Sequence, residues 1–419
     1  MTGSPWDGLV VADDLTGALD TGHAFAVRGR RVVVPLADDD PSPGGVVVVD
    51  TDSREAAADE AVARVRAAVE RRNAATVYKK VDSTLRGNVV AETDAAMAAA
   101  GATLAVVAPA FPATGRATAC GTHLVDGRPV TDWLDDGAAA RPSSWRLDEV
   151  FADSTAAVER VGIDRVARGP AAVARALPDE ADGPGLAVCD AIHDSHLEAA
   201  AGAVDGRGDV LFVGSGGLAP HVPLPDAARG PASWSAAGPR VLAVAGSTAA
   251  ETRAQVDAVP DEAVVALPVA AAVRDPETAA ERTAPAAIER LRADEPAVVT
   301  SVPDASAVEA ATAAAREAGV SRATAGDRIA AALARTALLV RAESRVDGLV
   351  LTGGAVAAAV LSAGGAGAVE LTGDAVAAGV PVGVVDGGTF DGIPVVTKAG
   401  GFGESTTVIS ALAHLSSDG

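Results

Sequence analysis

Leu9-Val10-Val11-Ala12-Asp13-Asp14-Leu15-Thr16-Gly17-Ala18-Leu19-Asp20 runs from four apolar residues, through two carboxylates, into a helix-forming stretch. An apolar run that short reads as a strand, 9–12, and the stretch beyond the carboxylates as a helix, 15–28. The same alternation continues outward. Strands are predicted at 31–36, 46–50, 76–80 and 104–108, with helices at 54–72 and 89–100. Runs that are apolar and β-branched along their whole length suit a parallel sheet covered on both faces. Strand and helix in alternation then give a doubly wound α/β domain.

The pattern breaks between Gly121 and Arg146. There 122–125, an Asp126-Gly127 turn and 129–131 predict a small hairpin inserted into this domain. Strands at 186–190 and 210–213 come next, each expected to lead into a helical run. Pro, Gly and Ser crowd 220–239, which reads as the linker. Beyond it come strands at 240–245, 264–267, 297–302 and 349–351, with helices at 305–317 and 322–345. A strand pair, 381–385 and 395–398, is expected to close the sheet ahead of a last helix at 406–415. The expectation is two doubly wound α/β domains with mostly parallel sheets, 1–225 and 239–419, the first carrying the hairpin.

Only three of the 34 basic residues are lysines, against 56 Asp and Glu and a net charge of −22. Such a balance argues against nucleic acid or an anionic membrane as partner. Acid excess with arginine favoured over lysine fits a high-salt cytosol. Cys120 and Cys189 are too few for a disulfide framework, which points to a reducing compartment. The first residues lack a signal peptide's basic region and apolar core, and no unbroken apolar run of membrane-spanning length occurs. The expectation is a soluble, cytoplasmic protein.

Ligands in open α/β sheets bind beyond the carboxyl ends of the strands, so residues there carry most weight. Asp13 and Asp14 come directly after the first strand, and either could instead N-cap the helix. Lys79-Lys80-Val81-Asp82-Ser83-Thr84-Leu85-Arg86-Gly87-Asn88 ends another strand and holds two of the three lysines. Its residue types suit a carboxylate- or phosphate-bearing ligand, a surface ion-pair cluster being the rival reading. Pro109 to Arg116 is a third such loop. In the second half Gly246-Ser247-Thr248, Thr352-Gly353-Gly354 and Lys398-Ala399-Gly400-Gly401-Phe402-Gly403 form three glycine turns before helices. Amides and helix dipoles there suit phosphate, so a nucleotide cradle is expected. No lysine precedes Ser or Thr, so a Walker A loop is excluded. His193 and His196 open a polar helix and read as solvated, and the Gly214-Ser215-Gly216-Gly217 turn reads either as a ligand loop or, at least as well, as a structural strand-to-helix connection.

These motifs, in this order and over nearly the whole chain, resemble the four-carbon acid sugar kinase family. The Asp82-Ser83-Thr84-Leu85-Arg86-Gly87-Asn88 run and the Lys398 to Gly403 run are the most specific pieces. The resemblance implies a sugar-acid domain followed by an ATP domain, and transfer of the γ-phosphoryl group to the 4-hydroxyl of a tetronate or oxo-tetronate. It places ATP on Ser247, on Gly353, Gly354, Ala355 and Val356, and on Gly400. Where the family continues its glycine pair with an acidic residue and a hydroxyl, this chain has Ala355 and Val356. Asp13, Asp14, Asp82 and Arg86 are expected to be catalytic, and Lys79, Ser83, Thr84, Asn88 and Arg116 to bind the sugar acid. Lys398 and Gly401 join the nucleotide set, with ATP and Mg²⁺ as cofactors and metal ligands unassigned. The other reading is a non-catalytic sensor of a sugar acid or nucleotide.

Overall fold

The computed structural model of this protein describes residues 6–37, 41–134, 140–179, 183–225, 229–236, 238–304 and 306–416. Parts of the expected linker (226–228 and 237), the first residue of the expected helix 305–317, and stretches of both expected domains (1–5, 38–40, 135–139, 180–182 and 417–419) lie outside the described residues. In chain order the first strands are β1 (Trp6–Ala12), β2 (Val32–Pro35), β3 (Val46–Asp50), β4 (Ala74–Lys80), β5 (Leu104–Ala108) and β6 (Arg116–Ala119). Then come β7 (Thr122–Val125), β8 (Arg128–Pro129), β9 (Ala157–Val161), β10 (Gly185–Cys189), β11 (Val210–Gly214) and β12 (Val241–Ala245). The last six are β13 (Val264–Ala266), β14 (Ala297–Thr300), β15 (Gly348–Thr352), β16 (Ala368–Ala377), β17 (Val380–Asp386) and β18 (Pro394–Lys398).

The chain divides into two compact units, Met1–Val32 with Ser42–Gly230, and Val33–Pro41 with Pro231–Gly419. Residues 33–41 therefore cluster with the second unit, although the sequence pattern carries the first domain straight through them. Within that unit β2 lies beside β16.

The sheet of the first unit has the order β3-β1-β4-β11-β5-β10-β9, and its named pairings are parallel. Its central strands β5, β10 and β11 are buried at every residue. A fully buried Val or Leu contributes about 1.5–3 kcal/mol, so the sheet interior dominates the stability of this unit. The edge strand β9, with Glu159 and Arg160, has mostly exposed side chains and no apolar run, which is why the sequence hid it. β1 connects toward β3 on one side and the chain then returns to β4 on the other. The order of strands thus reverses at β1 and β4, where such sheets open a crevice at their carboxyl ends. The predicted hairpin is a three-stranded antiparallel sheet, β6-β7-β8. The helical run expected after 213 is a correction: only the short 3-10 turn Ala219–His221 succeeds β11. Glycines 214, 216 and 217 are packed too tightly for side chains, so the chain there takes a turn.

The second unit carries the order β13-β14-β12-β15-β18-β17-β16. β12 to β15, with β18, run parallel, while β17 pairs antiparallel with both β16 and β18. β16 escaped the sequence reading because Gly373, in the left-handed region at φ 80°, and Asp374 sit within it and mimic a turn.

Candidate active site and nucleotide site

Strand alternation decides which lysine of β4 can meet a ligand. Successive side chains point to opposite faces of a sheet. Lys79 points toward the helix Val89–Ala100, where its ammonium ion-pairs with Glu92 at 2.7 Å, both side chains being buried. It also donates to the carbonyls of Lys80 at 2.7 Å and Val11 at 3.3 Å. Glu92 takes a second hydrogen bond from Ser53 at 2.7 Å. Lys79, expected to bind the sugar acid, is thus enclosed and saturated. The correction is its neighbour. Lys80 shares the face of Tyr78, whose ring meets Phe25 of the helix Leu15–Val27 edge-on. Only 5% of Lys80 is exposed, its ammonium lies beside Gly17, and no hydrogen bond or ion pair reaches it among the described residues.

Around Lys80 the ends of β1, β3 and β4 bring three carboxylates onto two guanidinium groups. Arg54 donates to both oxygens of Asp13 at 2.8 Å and to Asp14 at 2.6 Å, and approaches Asp82 at 3.8 Å. Arg86 grips Asp82 through Nε at 2.8 Å and Nη2 at 3.1 Å. Two-point arrangements of this kind fix both partners. Asp82 also accepts from the amide and hydroxyl of Thr84. Asp14 accepts from the Gly17 amide at 3.1 Å, so it caps the helix as well, and from the Thr16 hydroxyl at 2.7 Å. Burial alone would raise Asp13 and Asp82. The attraction of Arg54, joined by Arg86 at Asp82, reverses this and holds both carboxyls below their usual range. The Nη1 atoms of Arg54 and Arg86 keep no hydrogen-bond partner among the described residues, so the cluster retains donors for a further anion.

Arg54 is the site residue that the sequence pattern conceals. The pattern makes it the first residue of a helix, yet that helix begins only at Ala58. Its place just past β3, at the carboxyl edge of the sheet, was the available signal. Asn88, expected to bind substrate, instead holds the Arg54 segment: its amide donates to the carbonyls of Ser53 at 3.1 Å and Ala56 at 3.0 Å. Ser83 gives its carbonyl to the buried His123 Nε2 at 2.9 Å, and His123 Nδ1 meets the Thr118 hydroxyl at 3.0 Å. Burial, which outweighs the Ser83 hydrogen bond, pushes His123 down to about 4, so it stays neutral at pH 7. The small sheet therefore props the Asp82–Arg86 loop. Buried Leu85 sits at φ 60° in that loop, a strained conformation of the kind that collects at functional sites. Arg116 stands apart. Its guanidinium lies over Trp133 at 5.5 Å and donates to the Thr114 carbonyl, with no hydrogen bond or ion pair to the carboxylate cluster among the described residues.

In the second unit the three glycine turns come after the neighbouring strands β12, β15 and β18, so they meet at one edge. Gly353, at φ 97°, donates to the Lys398 carbonyl at 2.8 Å and leads into the helix Gly354–Ala363. A side chain at Gly400 would overlap the Ser247 hydroxyl. Lys398 was expected to face phosphate. Here its ammonium donates to the carbonyls of Ala399 at 2.8 Å, Gly400 at 3.1 Å and Phe402 at 3.0 Å. Thr252 and Gln255 add hydrogen bonds to Gly400 and Phe402, at 2.8 and 3.0 Å. Lys398 thus shapes the glycine loop. Burial, opposed by Glu251, lowers it to about 8. Gly401 lies next to that loop's held carbonyls and is exposed.

Beside these turns a cavity of about 420 Å³ opens, mostly apolar, with Ala307, Val308, Ile329, Ala355 and Val356 in its wall and Arg316 at its margin. The helices Ser306–Ala318 and Arg322–Glu343 supply most of it. Val356 is buried and would collide with any side chain at Gly246, while Ala355 is exposed. Among the described residues no group of three or more His, Cys, Asp or Glu is arranged to hold a metal. His193 and His196 are used locally, each ring accepting a backbone amide at 3.3 Å where the helix Asp194–Gly202 begins. No helix among the described residues is long and apolar enough to cross a membrane.

Comparison with known proteins finds a domain family for each half of the chain. Residues 8–222 match a family described as a sugar-binding N-terminal domain, and 242–408 one described as a nucleotide-binding C-terminal domain. A D-threonate kinase of Salmonella typhimurium is 35% identical, covering 97% of this chain and 98% of its own. A D-threonate kinase of Bordetella bronchiseptica is 37% identical over 98% and 97%. A 3-oxo-tetronate kinase of Methylobacterium radiotolerans is 39% identical over about half of each chain (50% and 52%). Among solved structures, a Haemophilus influenzae protein of family DUF1537 superposes with a TM-score of 0.72 at 22% identity, over 97% of this chain and all of its own. At that identity the likeness speaks for the fold alone. With both domain families matched in order and two relatives aligned end to end, the chain belongs to the four-carbon acid sugar kinase family, phosphotransferases with a hydroxyl acceptor.

Proposed function

We propose that this protein transfers the γ-phosphoryl group of ATP to the 4-hydroxyl of a four-carbon sugar acid, D-threonate being the first candidate. One observation carries the reading. Lys80 and the Nη1 atoms of Arg54 and Arg86 are cationic donors without hydrogen-bond partners among the described residues, gathered where β1 and β4 end. A sugar-acid carboxylate is the ligand such a trio suits, the guanidinium groups being held rigid by Asp13, Asp14 and Asp82. The same carboxylates present oxygens to the hydroxyls of the acid. D-threonate is favoured because the Salmonella typhimurium and Bordetella bronchiseptica relatives, which align end to end with this chain, act on it by name.

The triphosphate is assigned to Ser247, Gly353, Gly354 and Gly400, where a Cβ at residue 400 would overlap Ser247, Gly353 takes a positive φ and two helices begin close by. The apolar cavity lined by Ala355 and Val356 suits the purine base, which asks for small apolar walls rather than charge. Mg²⁺, which neutralises phosphate charge in such transfers, keeps most of its waters and rides on the nucleotide. That habit agrees with a site that offers no three-ligand cage among the described residues. Positioning and charge neutralisation then supply most of the catalysis.

The test is ADP release with Mg²⁺ and ATP over D-threonate, L-threonate, D-erythronate and 3-oxo-tetronates, at low and high salt. Turnover confined to one acid, with phosphate on its 4-oxygen by NMR, is the expected result. Sugar-acid binding by calorimetry without turnover on any member would move the protein to the sensor reading.

A further inference from the structure

We propose that Asp20 is the base of the transfer, taking the proton of the attacking hydroxyl, with Lys80 as the cation that keeps the hydroxyl and Asp20 in register. This deepens the kinase reading and rests on it. Asp13, Asp14 and Asp82 are the carboxylates the sequence advances, yet each is tied to at least one guanidinium and, for Asp14 and Asp82, to hydroxyls and amides as well. A carboxylate so engaged is a weak proton acceptor, because protonation would cost it those contacts. Asp20 is different. It stands one turn beyond Thr16 on the same helix, partly buried, and no hydrogen bond or ion pair reaches it among the described residues. Its Oδ2 lies 2.9 Å from where a Cβ of Gly216 would be, so the Gly216 turn packs closely against the carboxylate and only a glycine there leaves it room. Lys80, nearly fully buried and likewise without a direct partner among the described residues, is the cation that acts on it, and Lys80 is itself one of the donor trio assigned to the acid.

The groups facing Asp20 are Lys80 and Tyr78 from β4 and Asp14 from the start of its own helix, while the Gly216 turn brings no titratable group. Burial pushes Asp20 up to about 6, with Asp14 adding to the rise and Lys80 opposing it. A base of that strength suits catalysis near neutrality. In the step, the hydroxyl O–H bond breaks and its proton goes to an Asp20 oxygen. The hydroxyl oxygen's electron pair forms the new bond to the γ-phosphorus, and the bond from that phosphorus to the bridging oxygen breaks, its electrons leaving on ADP.

The experiment compares the full chain with Asp20→Asn on the acid that gives turnover. Asp20→Asn should lower kcat by about 10²–10⁴-fold, with ATP affinity and thermal unfolding as in the parent. In the parent, kcat/KM should rise with pH through about 6, and that limb should vanish in Asp20→Asn. Asp50, which titrates near 7 at the end of β3, would leave its limb in place. A variant kcat within threefold of the parent, or a limb that survives the substitution, overturns the assignment. If the variant unfolds, the parent's profile decides, since a flat kcat/KM between pH 5 and 7.5 also overturns it. An inactive parent counts against the kinase reading instead.

Discussion

The two units carry their proposed anion sites at the same place in the fold, the carboxyl edge of a parallel sheet, and build them by opposite means. In the first unit charge is held by charge: two arginines and three carboxylates orient one another beside a buried lysine. In the second the proposed ligand surface is backbone, glycine turns after β12, β15 and β18, with the single lysine turned onto the loop carbonyls. The difference suits the ligands proposed. A small acid with few atoms needs strong, directional contacts at each of them, whereas a triphosphate can lie along amides and helix ends. It also separates what mutation should do. Side-chain truncations should be severe in the first unit, and added bulk should be what harms the second.

The largest effect is expected at Arg54. Arg54→Ala releases Asp13, Asp14 and Asp82 together, and kcat/KM for the acid should fall by about 10³-fold with ATP affinity preserved. Steady-state kinetics with either substrate varied checks it, and a loss under tenfold would mean the guanidinium is merely structural.

The adjacent lysines sharpen the comparison within one strand. Lys79→Met leaves Glu92 buried with only Ser53 opposite, and should cost about 3–5 kcal/mol in denaturant unfolding. Lys80→Met should change stability by less than about 1 kcal/mol yet lower kcat/KM about 10²-fold. The reverse pattern would break the assignment of faces on β4.

Gly400→Ala tests the backbone surface. Its Cβ would meet the Ser247 hydroxyl, so loop or serine must shift, and ATP affinity should fall about tenfold while sugar-acid binding stays the same. Calorimetric titration of each ligand separates the two.

The smallest effect is at Lys398. Its ammonium is depressed to about 8 in the folded protein against 10.5 for an ordinary lysine. Between those values the unfolded chain binds the extra proton, so this group makes stability rise with pH across that window. Loss of the charge leaves the amine too few hydrogens for three carbonyls. ATP affinity in the parent should therefore decline a few-fold above pH 8. Lys398→Met should show the weaker affinity at every pH and no such dependence.

Much of the fold is legible in the chain itself. Apolar runs of strand length mark β3 and β5, and an alanine-rich run the helix Val89–Ala100, with the bounds expected, because fully buried strands and alanine-rich helices leave strong local signals. β9 and β16 leave none, one being a charged edge and the other interrupted by Gly373. The site is half visible. Carboxylates, hydroxyls and cations after β1 and β4 advertise themselves by type and place, and Arg86 and Asp82 are found joined. Arg54 is hidden by a helix that starts four residues later than its pattern suggests, and Asp20 by being one ordinary helix residue among others.

By itself, then, the sequence determined that parallel sheets would form and which strand ends would gather carboxylates, cations and glycine turns, since both come from local pattern. Only the tertiary structure decided that Lys79 is locked to Glu92 while Lys80 faces the site. Two lysines one residue apart are chemically the same in sequence. A strand sends them to opposite faces, and what packs on each face decides which cation is neutralised and which stays available.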